Sequence, residues 1–144
     1  MSIVFKDKKD VSFRTYLKEQ IKSFNNEISP LHLASRKEGY VKYIQFEVIH
    51  EGVCIGGLTG RIYWSCLEID DIFIESSFRK LGYGKRLIMQ AQAYAKSKGL
   101  HFIVLKTFSF QAKPFYEKYG FYVIGEIKGY PETASLYTMR YDIQ

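Results

Sequence analysis

The stretch Arg79-Lys80-Leu81-Gly82-Tyr83-Gly84-Lys85 lies between an apolar run over 69–74 and a helical pattern that begins at Tyr83. Two glycines let a backbone turn tightly and approach an anion closely, while the N–H groups and positive dipole end of the following helix attract negative charge. The glycines supply geometry, and Arg79, Lys80, Lys85 and Arg86 supply charge. The stretch reads as a diphosphate cradle, with a plain strand-to-helix turn and a solvated helix start as the alternatives.

Downstream, Tyr83, Leu87, Ala91 and Ala95, joined by Ile88 and Tyr94, form an apolar stripe at helical spacing. It ends at Lys96-Ser97-Lys98-Gly99, with basic residues in the last turn and a glycine after it. The run 102–105 is continuously apolar, as expected of an interior strand covered on both faces. Strand, helix and strand make a βαβ unit whose two strands are expected to be parallel neighbours. In the strand over 67–75, alternation puts Glu68, Asp70, Ile72 and Ile74 on one face and Ile69, Asp71 and Phe73 on the other.

Further upstream, Ile44, Phe46 and Val48 alternate with Gln45 and Glu47, a turn follows at His50-Glu51-Gly52, and a second strand starts at Val53. That pattern is an antiparallel hairpin. Gly56-Gly57 within it marks a bulge or a close backbone contact. At the start of the chain, Ser12 reads as the N-cap of a helix carrying Phe13, Leu17, Ile21, Phe24 and Ile28, closed by Pro30 and followed by a helical turn over 31–37. After the βαβ unit come a short helix over 112–119 stopped by Gly120, then strands near 121–127 and 136–143. The fold class is α/β, a mixed and mostly antiparallel sheet flanked by helices.

The chain has 144 residues, 47% hydrophobic and 17% aromatic, enough to bury a core as one domain over 1–144. It contains no apolar stretch long enough to span a bilayer, and its first residues lack the pattern of a signal peptide, so a cytoplasmic location is expected. Cys54 and Cys66 lie in strand-like runs without metal-ligand spacing and read as free thiols. His32, His50 and His101 share no metal spacing either, and no metal is expected. The net charge of +6 suits nucleic acid, an acidic membrane surface or a small polyanion. No groove-reading motif supports nucleic acid, and the one basic cluster flanks the glycine loop.

Two motifs resemble those of the GNAT superfamily of acetyl-CoA-dependent N-acetyltransferases. Arg79, Gly82 and Gly84 match its R/Q-x-x-G-x-G/A signature; Ala112, Phe115, Tyr116, Gly120 and Phe121 match its N-x-x-A-x-x-F-Y-x-x-x-G-F pattern, with Ser109 in place of the asparagine. The similarity covers about residues 41–143 and includes Gly56-Gly57-Leu58-Thr59-Gly60 and Trp64, while the N-terminal helices match only in kind. The loop Pro131-Glu132-Thr133-Ala134-Ser135 departs from the Gly-His of similar bacterial sequences.

The resemblance implies acetyl transfer from acetyl-CoA to a primary amine by direct attack, with the pantetheine arm between the strands at 67–75 and 102–107. Backbone groups of Ile72, Phe73 and Ile74 would pair with the arm, Arg79, Lys80, Leu81, Gly82, Tyr83, Gly84 and Lys85 would hold the diphosphate, and Ser109 would reach the pantetheine or cap the next helix. Tyr116 stands where many members place a tyrosine beside the thioester sulfur, and a phenol can donate to a thiolate. Glu68, eleven residues before Arg79, matches the offset of the glutamate base of histone-type members, and Asp70 is one pleat further on. The other reading of Glu68, Asp70 and Asp71 is a surface patch that attracts a cationic amine. The alternative in function is a non-catalytic CoA-binding sensor or interaction module. Homodimers are frequent among similar proteins, and the amine acceptor is not fixed by the sequence.

Overall fold

A computed structural model describes all residues, Met1–Gln144, as two compact units, Met1–Tyr40 and Val41–Gln144. The first unit holds two helices, α1 (Val11–Ile28) and α2 (Pro30–Ser35). The N-cap of α1 is Asp10, not Ser12 as the sequence suggested: the Asp10 carboxylate accepts the Phe13 N–H at 3.0 Å and the Ser12 hydroxyl at 2.8 Å. A carboxylate satisfies the orphan N–H groups and also opposes the helix dipole, so Ser12 becomes its helper. These bonds hold the Asp10 carboxyl below its ordinary range. Ser29 caps α2, and Pro30 opens it where its missing N–H costs nothing.

The second unit is a six-stranded sheet built from β1 (Lys42–His50), β2 (Val53–Tyr63), β3 (Cys66–Ile74), β4 (Phe102–Phe108), β5 (Tyr122–Lys128) and β6 (Ser135–Asp142). The order is β1-β2-β3-β4-β6-β5, and only β3 and β4 run parallel, as the βαβ reading expected. Between them run α3 (Tyr83–Ser97) and, after β4, the one-turn α4 (Lys113–Lys118). Glu51 and Gly52 join β1 to β2 with φ of 48° and 79° at the two turn positions, the twist that a two-residue hairpin favours.

Leu58, Leu67, Ile69 and Ile74 of the sheet bury one face against Leu87, Ile88, Ala91 and Ala95 of α3, with Ile103, Leu105, Tyr116, Phe121 and Met139 completing the core. The contribution of β4 differs from expectation. Ile103, Leu105 and Thr107 are buried, whereas Phe102 and Val104 are half-buried and Lys106 is exposed. An apolar run signals an interior strand, and β4 is one by position, but only one of its faces lies in the core. On the other face the Arg140 guanidinium lies 3.9 Å from the centre of the Phe102 ring.

Two bulges shape the sheet. Ile55 is extra between the β1 pairs Val48–Gly56 and Ile49–Cys54, next to the Gly56-Gly57 pair that had suggested one. Asp70 is extra between the β2 pairs Gly60–Ile69 and Thr59–Asp71. The second bulge overturns the expected faces of β3. Leu67, Ile69, Ile72 and Ile74 share the core side, while Glu68, Asp70, Asp71 and Phe73 lie on the other, because one unpaired residue reverses the alternation beyond it.

Candidate active site

Pairing between β3 and β4 lasts only from Cys66–Phe102 to Glu68–Val104. Past that point the bulged β3 diverges from β4, and the gap is a cavity of about 150 Å³ lined by Ile69, Asp70, Asp71 and Ile72 on one side and Leu105, Lys106 and Thr107 on the other, closed by Gln111, Ala112 and Tyr116. On its far side β3 is still paired with β2 up to Ile74, so the edge of Ile72, Phe73 and Ile74 beside the gap has no partner strand, although the Arg79 side chain takes the Ile74 carbonyl.

At the C-terminal end of β3 the chain makes one 3-10 turn, Ser76–Phe78, and enters the glycine loop. Lys80 and Gly82 take left-handed φ of 64° and 89°, which swings the backbone into α3 with Gly82 as N-cap and no side chain capping the helix. The first bond of the helix is Arg86 N–H to the Gly82 carbonyl at 3.1 Å. The N–H groups of Gly82, Tyr83, Gly84 and Lys85 have no partner within the protein, which is the arrangement that binds an anion. Gly84 serves packing as well: a Cβ there would stand 3.3 Å from the Phe115 ring of α4. Leu81 is exposed, and Arg79 turns back, its Nε donating to the Ile74 carbonyl at 2.8 Å with the guanidinium over Phe73 at 5.3 Å.

Tyr116 enters the cavity from α4, is 5% exposed, and its hydroxyl makes no hydrogen bond within the protein. Burial pushes its phenol up to about 12. Ser109 does not cap α4, whose N-cap is Ala112. Its hydroxyl instead accepts the Ser135 N–H at 3.0 Å and ties the β4–α4 turn to β6, leaving its own O–H free to donate. Gln111, to which the sequence assigned no role in the site, accepts the Phe108 N–H at 2.8 Å and shapes the same turn.

Glu68 and Asp70 are brought together by Arg61. Its guanidinium donates to both Asp70 oxygens at 2.8 to 3.2 Å and stands 3.2 Å from Glu68, which also accepts the Tyr63 hydroxyl at 2.7 Å. Burial first, then the bond to Glu68, pushes Tyr63 up to about 12, and Asp70 raises Arg61 further above its ordinary value. Asp70 lines the cavity; Glu68 sits at the last paired position and does not. No group of three or more His, Cys, Asp or Glu side chains is placed to hold a metal, and no helix is long and apolar enough to cross a membrane.

The model of the acetyltransferase (GNAT) family matches residues 9–121. The chain belongs to this family. Like other GNAT members it is an acetyl-CoA-dependent acyltransferase. It is 30% identical over 119 residues to the blasticidin-S acetyltransferase of Streptomyces morookaense, covering 78% of this chain and 88% of that one. An acetyltransferase from Bacillus cereus superposes with a TM-score of 0.79 at 27% identity, over 96% of this chain and 97% of its own. A Bacillus anthracis acetyltransferase solved in complex with acetyl coenzyme A does so at 0.64 and 28% identity, over 71% and 63%. The GNAT match begins at residue 9, so it takes in N-terminal helices that the motifs had matched only in kind.

Acetyl-CoA is the co-substrate of GNAT enzymes, and the residues present suit it: free N–H groups at the start of α3 for a diphosphate, and an open strand edge beside a narrow cavity for an extended arm.

Two buried neutral groups, Cys66 and Tyr116, and the half-buried Tyr63 make GNAT-fold stability here pH-dependent. Burial pushes the Cys66 thiol from 9.0 to about 11, and Tyr63 and Tyr116 each from 10.0 to about 12. The native state therefore keeps protons that the unfolded chain gives up. Their contribution is whole below about pH 9 and is lost as pH rises through about 11 and 12. The urea midpoint is expected to fall steadily above pH 9, and Cys66→Ala to flatten the first part of that fall; a midpoint constant to pH 11 would contradict it.

Proposed function

We propose that residues 1–144 form one N-acetyltransferase domain that transfers acetyl to a primary amine by direct attack within a ternary complex. The observation that carries this is the cavity at the β3–β4 split, with Tyr116 entering from the core side and Asp70 lining it from the strand that carries Glu68. Acetyl-CoA supplies an activated acetyl thioester when bound. The N–H groups of Gly82, Tyr83, Gly84 and Lys85 hold the diphosphate, Lys80 and Lys85 add charge, Arg79 adds its charge from its place against the Ile74 carbonyl and the Phe73 ring, and the exposed Leu81 is part of the same loop. The edge of Ile72, Phe73 and Ile74 pairs with the pantetheine, and an N–H there polarises the acetyl carbonyl. The Ser109 hydroxyl donates to the arm.

Tyr116 is the general acid. A phenol held near 12 stays protonated at neutral pH and delivers its proton to the departing sulfur. Asp70, with Glu68 behind it, takes the proton of the amine directly or through water. The second reading, a CoA sensor without turnover, predicts that coenzyme A binds and no amine is acetylated.

The test is thiol release from acetyl-CoA across a panel of amines, with blasticidin S included because a relative is named for it. Turnover with one or more amines supports the reading. Binding of coenzyme A without turnover on any amine selects the sensor.

A further inference from the structure

We propose that the acceptor amine also carries an anionic group, a carboxylate or phosphate, and that Asp71 and Lys106 hold its two charges across the mouth of the cavity. The inference rests on the acetyltransferase reading above and names the class of acceptor.

Register fixes where the two side chains belong. Lys106 sits between the buried Leu105 and Thr107 and so projects from the opposite face of β4. The last β3–β4 pair, Glu68–Val104, identifies that face as the one carrying Glu68 and, past the bulge, Asp71. Both residues line the cavity, and both are exposed. The acceptor side is therefore the face opposite the core, from which Tyr116 enters.

The charges on this face are not equally free. Asp70 and Glu68 share the Arg61 cation, and Glu68 accepts the Tyr63 hydroxyl as well. Asp71 and Lys106 are held in the sheet by their backbones, but their side chains make no hydrogen bond or ion pair, with each other or with any neighbour. Two opposite charges thus line one cavity, on two strands that no longer pair, without closing on each other. A purely cationic acceptor meets Lys106 as a like charge, and a purely anionic one meets Asp71. An acceptor with an ammonium and an anionic group satisfies both at once.

Matched acceptors test this: L-lysine against its methyl ester, and 2-aminoethyl phosphate against 2-aminoethanol, in the thiol-release assay with wild type, Asp71→Asn, Lys106→Gln and Lys106→Arg. The member of a pair that carries the anionic group is expected to have about tenfold or more higher kcat/KM. Lys106→Gln should erase that preference through KM, Lys106→Arg should keep it, and Asp71→Asn should weaken both members of a pair. KM for acetyl-CoA should not change in any of the variants. Equal or better use of the member without the anionic group, or a Lys106→Gln effect confined to acetyl-CoA, overturns the inference while leaving acetyl transfer standing. Turnover with none of these amines or any other, in protein that binds coenzyme A, overturns both.

Discussion

Replacing Tyr116 with phenylalanine is expected to lower kcat about 100-fold or more, the scale of a lost general acid. Coenzyme A affinity should be little changed, because the cradle at the start of α3 is a separate set of atoms. The substitution removes one oxygen from a ring whose edges stay packed against Phe115 and Phe121, at centroid separations of 5.3 and 5.8 Å, so folding is preserved. Loss of the hydroxyl costs no internal hydrogen bond, which separates chemistry from stability. Burial holds the wild-type phenol near 12, so this group predicts no alkaline fall in kcat below about pH 11. Steady-state rates at saturating acetyl-CoA provide the check; an unchanged kcat removes Tyr116 from the mechanism.

Gly56→Ala is expected to destabilise the second unit by about 3 kcal/mol or more, lowering its melting temperature by roughly 10 °C. Gly56 has φ of 154°, a conformation that side-chain-bearing residues avoid, and an added Cβ would run into the backbone carbonyl of Phe73 and the Ile74 backbone. The obstacle is the backbone of the adjacent strand, so no rotamer change relieves it. Either β2 and β3 separate or the hairpin shifts, and Phe73 and Ile74 belong to the strand edge assigned to the pantetheine. Thermal unfolding of the variant checks the stability, and a loss under 1 kcal/mol would show that the sheet yields more easily than its register suggests.

Most of the second unit was legible in the chain because its signals are local. The stripe of Leu87, Ile88, Ala91 and Ala95, the alternation of Ile44, Phe46 and Val48, and the glycine loop each declare an element within a few residues. What escaped depended on partners distant in sequence. The insertion of β6 between β4 and β5 leaves no periodic trace, and Ser109 meets Ser135 only after the chain has returned. The bulge in β3 did leave one: Asp70-Asp71 are two acids in succession between the buried Ile69 and the half-buried Ile72, a break in strict alternation. Read that way, the pair moves Asp71 to the face of Glu68 and puts a carboxylate at the cavity mouth. Asp10 was missed as a cap for a different reason, since Asp10 and Ser12 are both good caps and only the bond geometry chooses between them.

Calorimetric titration of coenzyme A into wild type and Gly82→Val bears most directly on the reading of the glycine loop as a diphosphate grip. A β-branched side chain at a φ of 89° disturbs the loop, while the space around it is open and the core is untouched. The result predicted is saturable one-to-one binding to wild type and about tenfold or more weaker binding to the variant. Folded wild-type protein that takes up no coenzyme A, or a variant that binds as well as wild type, would contradict it.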